Sequence, residues 1–92
     1  MTYARRVDLN QAEIVRGLRA LGYSVRHTHS IGKGFPDIVI GKHGNNLLVE
    51  IKQDENEKLT HDELEFFASW QGAVMIGYSV EGIHAEFEIR FP

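Results

Sequence analysis

The chain has 92 residues, 42% apolar and 25% charged, with no cysteine and a net charge of −3. That length fits one domain spanning residues 1–92 with a modest core, and the composition excludes a disordered chain, disulfides and thiolate metal sites. A net negative charge is unusual for a nucleic-acid binder, but the charge is unevenly spread: Arg5, Arg6, Arg16, Arg19, Arg26, Lys33 and Lys42 lie in the first half, and acidic residues crowd after Lys52.

The first predicted element is a helix in "DLNQAEIVRGLRALG", where Ile14, Leu18 and Leu21 recur at helical spacing. Asn10 with Glu13 fits a capping box, Leu9 with Ile14 a hydrophobic staple, and Gly22 the position just past the helix end. "YSVRHTH" alternates like a strand, and "SIGKGFP" is a glycine-rich loop. "DIVIGK" and "LLVEIKQ" read as strands joined through "HGNN". After the solvated loop "DENEK", a second helix opens at Thr60, which forms a capping box with Glu63. Leu64, Phe67 and Ala68 are its expected apolar stripe, and Gly72 its expected end. "AVMIGYSV" has the length and continuity of a buried strand. In the tail, Phe87, Ile89 and Phe91 alternate with charges, so residues 84–92 read as a possible last strand or dimerisation tail. The order is αβββαβ with an optional final strand. No run reaches membrane-spanning length, and Arg5 and Arg6 lead into "VDLNQAEIV" with no apolar leader. A soluble cytoplasmic protein is the expectation.

Three charges stand out in strands that should be buried: Asp37, Glu50 and Lys52. Glu50 and Lys52 are two apart, so they share one strand face. In an antiparallel hairpin, Asp37 at the start of one strand approaches both at the end of the other. Two converging carboxylates repel unless a cation separates them. Hard oxygen ligands with open water positions suit Mg²⁺ or Mn²⁺. The Ile51 carbonyl, between the two charges, is also placed to ligate. The plain alternative is a structural ion-pair cluster.

Pro36-Asp37 followed by Glu50-Ile51-Lys52 resembles the PD-(D/E)XK motif. "GFPDIVIGKHGNNLLVEIK" with "KLTHDELEFFASWQGAVMIGYSVEGI" is similar to the VRR-NUC family of that nuclease superfamily, in particular its small stand-alone phage-type members. The likeness runs over residues 10–83. It implies a restriction-endonuclease-like α/β (α+β) fold, a mixed sheet flanked by helices, and Mg²⁺- or Mn²⁺-dependent hydrolysis of DNA phosphodiester bonds. Asp37, Glu50 and the Ile51 carbonyl would ligate the metal, with Glu13 as a further acidic residue from the first helix. Lys52 would position the attacking water. The implied protein is a homodimer resembling Holliday-junction resolvases, acting on branched DNA in the cytoplasm of a host cell. Glu63 departs from the pattern, because such proteins often carry a glutamine there.

Other residues have simpler explanations. Capping accounts for Glu63 without any catalytic role, and is the plain alternative to a site role for Glu13. His27 and His29 read as solvated strand histidines, and Phe66, Phe67 and Trp70 as core or interface. Lys33, between Gly32 and Gly34, and Arg16 and Arg19 on the first helix are candidate DNA-backbone contacts. Two rival functions remain: a catalytically silent DNA-junction-binding module, and a phage-encoded protein-interaction or inhibitor domain using the acidic half.

Overall fold

The computed structural model describes residues 2–92, with side chains from Asn10 onward. Its elements in chain order are α1 (Thr2–Ala20), β1 (Ser24–His27), a single 3₁₀ turn (His29–Ile31), β2 (Ile38–Lys42), β3 (Asn45–Ile51), α2 (His61–Ser69), β4 (Val74–Gly77) and α3 (Val80–Arg90). The strands form one mixed sheet in the order β1-β2-β3-β4, antiparallel except for the β3–β4 pair. The fold is therefore α+β, as expected, with a third helix in place of the expected last strand.

Helix α1 starts well before Asn10, so Asn10 and Glu13 are interior helix residues and their capping box is not used. No glycine or proline occurs before Gly17, so nothing in the sequence stops the helix from extending towards its N-terminus. The staple's Leu9 side chain lies outside the described residues. The C-terminal end behaves as expected. Gly22 has φ +97°, the Tyr23 amide donates to the Leu18 carbonyl, and the Gly22 amide donates to the Arg19 carbonyl. These are the paired bonds of a Schellman cap.

The tail forms α3 because its apolar residues also fit a helical spacing. Val80, Ile83, Phe87 and Phe91 follow one another at three- and four-residue steps, and Ile83 and Phe87 are buried. Ile89, which the strand reading would bury, is exposed. Ser79 caps the helix by accepting from the Gly82 amide.

The hairpin is tighter than expected. Lys42 pairs with Asn45, leaving His43 and Gly44 as a two-residue turn, both with positive φ (+54° and +81°). That is the type I′ geometry, whose twist matches the flanking strands.

Strand alternation divides the sheet into two faces. Val25, Ile38, Ile40, Leu47, Val49 and Ile51 point to one face, where they meet Ile14, Val15 and Leu18 of α1 and Ile83 and Phe87 of α3. This is the core. The other face carries Arg26, Val39, Leu48 and Glu50, with α2 alongside. Strand β4 is one edge of the sheet, and only its Gly77 is buried, so the expectation of a buried strand is corrected. Ile83 fills the space that a side chain on Gly77 would need.

Candidate active site

The last β2–β3 pair is Ile38 with Val49. One step further, Asp37 stands opposite Glu50, and both project from the face away from the core. The amides of Leu48 and Lys52 donate to Ala73 and Gly77 on the β4 side. The Ile51 amide therefore points towards β2, where the Asp37 Oδ2 atom accepts it at 2.8 Å. The N–H and C=O of one strand residue point to the same side. The Ile51 carbonyl thus faces the Asp37 side as well.

Glu50 and Lys52 are 4% and 6% exposed, unusually buried for charged residues. Lys52 Nζ donates to Glu63 Oε1 at 2.9 Å, with Glu50 at 3.5 Å and Glu57 at 3.9 Å. The same Glu63 oxygen accepts from the Thr60 amide, and the Thr60 hydroxyl accepts from the Glu63 amide, completing the expected capping box. Glu63 therefore caps α2 and also anchors the lysine. The capping signal is legible in the sequence. The contact with Lys52 depends on where α2 lands.

The electrostatics follow from this crowding. Burial raises the Asp37 carboxyl above its ordinary range, partly offset by the bond from Ile51. Burial, then the charges of Asp37 and Glu63, push Glu50 up to about 8. Burial disfavours the Lys52 charge, but the bond to Glu63 and the surrounding carboxylates outweigh it and raise its pKa. Burial works against the Glu63 charge too, and the bond from Lys52 outweighs that, lowering its pKa.

Glu13 is exposed on α1, and no contact among the described residues ties it to this cluster. Arg16 and Arg19 line a groove with Ala12, Val15 and His27, on the α1 side of the sheet. Arg19 is occupied there, donating to the Val25 carbonyl at 3.0 Å. Lys33 is exposed, with φ +57° between two glycines of positive φ. A side chain on the adjacent Gly34 would collide with the backbone of Asp62, so this loop lies against the first turn of α2. On α2, Phe66 stacks on Trp70 at 4.9 Å between ring centres, and Phe35 packs edge-on to both. Phe66 and Phe67 are half-buried, and Leu64 and Ala68 are exposed, which corrects the expected stripe. The helix ends at Trp70, before Gly72.

Among the described residues, no three His, Asp or Glu side chains are gathered as ready metal ligands. The donor set is instead two facing carboxylates and a nearby carbonyl. That set fits Mg²⁺, which keeps several waters and takes few protein ligands. Two neighbouring acids held above their ordinary range, the buried Glu50 and the half-buried Asp37, are also what such a cation would relieve. No protein-family model, curated protein or solved structure matches the chain. Among the described residues, no helix is long and apolar enough to cross a membrane.

Proposed function

We propose that the protein is a metal-dependent DNA endonuclease acting on branched DNA. The observation that carries this reading is the convergence of Asp37 with the buried Glu50 and Lys52 on one face of the sheet. The family resemblance in "GFPDIVIGKHGNNLLVEIK" gives that convergence its chemistry. Asp37 and Glu50 would hold Mg²⁺ or Mn²⁺, with the Ile51 carbonyl beside them. A bound cation of this kind polarises a phosphoryl oxygen and acidifies water. Lys52 supplies positive charge next to that position, where charge develops on the phosphate. Glu63 holds the lysine head in place, at the position where the resembled family often carries a glutamine.

Cutting a four-way junction symmetrically requires two sites related by a two-fold axis, so a homodimer belongs to this proposal. The α3 tail gives no edge strand for pairing. The aromatic group at the end of α2, with Trp70 partly exposed, is the surface proposed for a second copy.

A silent DNA-binding module is the rival reading, and one observation favours it: Lys52 already has carboxylate partners. The experiment is cleavage of labelled four-way junction, flap, nicked and plain duplex DNA in Mg²⁺, Mn²⁺ or EDTA, by wild type and Lys52→Ala. The nuclease reading expects metal-dependent cutting of branched DNA that the variant lacks. Binding of junctions without cutting under any metal would favour the silent module, and indifference to all DNA the interaction domain.

A further inference from the structure

We propose that Arg26, seconded by Lys33, holds the backbone of the DNA strand as it leaves the acidic cluster, so that the strand runs over β1. The proposal rests on the nuclease reading and adds the path of the substrate. It follows from the register. Arg26 pairs with Val39, and two residues along the same two strands, past the His27–Ile38 pair, Thr28 donates its amide to the Asp37 carbonyl. Arg26 therefore projects from the cluster's face, in the row next to Asp37. Diagonal neighbours across an antiparallel pair lie about 7–8 Å apart, within reach of a long arginine.

Arg26 is exposed, and among the described residues no carboxylate or carbonyl engages its guanidinium. Two other cations in the basic half are committed elsewhere. Arg19 is bonded to Val25, and Lys42 donates to the Leu21 carbonyl and lies over the Tyr23 ring. Lys33 stands on the loop that runs from β1 into Asp37, in a left-handed conformation that non-glycine residues seldom adopt. Beyond Lys52, the loop after β3 and helix α2 carry Asp54, Glu55, Glu57, Asp62 and Glu65 against the single cation Lys58. A polyanion entering this site is repelled by that segment and attracted by Arg26 and Lys33. Arginine suits the task, since its planar fork binds phosphate through two parallel bonds.

The test is binding of a labelled four-way junction and a plain duplex to the full chain in EDTA, across a series of salt concentrations. The proteins are wild type, Arg26→Ala, Arg26→Lys, Lys33→Ala and, as a control, Arg90→Ala, whose side chain is paired with Glu86 on α3. Melting curves check that each variant folds. The path predicts that Arg26→Ala weakens binding to both DNAs alike and flattens the log–log salt dependence by about 0.9 per lost phosphate contact. Arg26→Lys retains most of the slope, and Arg90→Ala matches wild type. Wild-type affinity and slope in a folded Arg26→Ala protein would overturn the path and leave the nuclease reading standing. A wild-type chain that binds neither DNA would overturn both.

Discussion

Lys52 is the residue on which the cluster turns. Its ammonium stands among Glu63, Glu50 and Glu57, so removing it leaves buried carboxylates facing one another. Lys52→Ala should abolish cleavage and lower the melting temperature, because an uncompensated buried charge is costly. Glu63→Ala removes both the lysine's anchor and part of the α2 cap. It should cost about 0.3–1.5 kcal/mol through the cap and slow cleavage further than that loss of stability explains, as paired melting and rate measurements would reveal. Glu50 sets the pH dependence. Its carboxyl is pushed up to about 8 in the folded chain, against an ordinary value of 4.5. Between those values the folded state holds more protons than the unfolded state, so stability falls as pH rises through that window. The raised Asp37 acts in the same direction from a lower pH. Lys52 and Glu63 shift outwards, away from the window. Melting in EDTA should therefore drop from pH 6 to pH 8.5. Glu50→Gln should flatten the drop, and Mg²⁺ should restore stability at the upper end. An unchanged melting temperature across that range would contradict the picture of Glu50. Asp37, Glu50 and Lys52 were legible in the sequence because strand alternation puts Glu50 and Lys52 on one face and the antiparallel hairpin brings Asp37 to them. Arg26 was not singled out, because only the register of β1 against β2 separates its face from that of Arg16 and Arg19.

At the scale of elements, α2 matters most, and its seat depends on Gly34. This glycine has φ +78°, and an added side chain would strike the backbone of Asp62. Gly34→Ala therefore meets both a left-handed backbone, costing about 1–2 kcal/mol, and a collision that displaces α2. Glu63 moves with the helix. The expected result is a lower melting temperature together with weaker cleavage, measured on the same protein sample. Full activity in a Gly34→Ala chain would mean that α2 need not sit where it does. The start of α2 was readable from Thr60 and Glu63, whose reciprocal bonds are purely local. The stripe it buries was not, because the choice between Phe66 and Leu64 depends on what the helix meets, here Phe35. The tail misled for a related reason. Phe87, Ile89 and Phe91 satisfy a period of two, whereas Val80, Ile83 and Phe87 satisfy a helical period, and packing against α1 and Gly77 selects the second.

For the whole molecule, the sheet is covered on its core face by α1 and α3, and on the other face the aromatic group of α2 stays partly open, with Trp70 43% exposed. Two copies joined through that side would present two acidic clusters to one junction. Light scattering should give twice the 10.5 kDa chain mass, and Trp70→Glu should reduce it to a single chain. A monomeric mass with and without DNA would contradict the dimer. The general plan of helix, three strands, helix and strand was readable from periodicity and turn residues. The oligomer was not, because it depends on surfaces that local patterning does not specify. The central claim is that Asp37 and Glu50 together make a cation-dependent cutting site, and one measurement tests it most directly. Asp37→Asn keeps the shape of the side chain and removes its charge. With labelled four-way junction in Mg²⁺, wild type should cut, while the variant should bind the junction at least as well and leave it intact. Cleavage by the folded Asp37→Asn protein at the wild-type rate would contradict the assignment of the site.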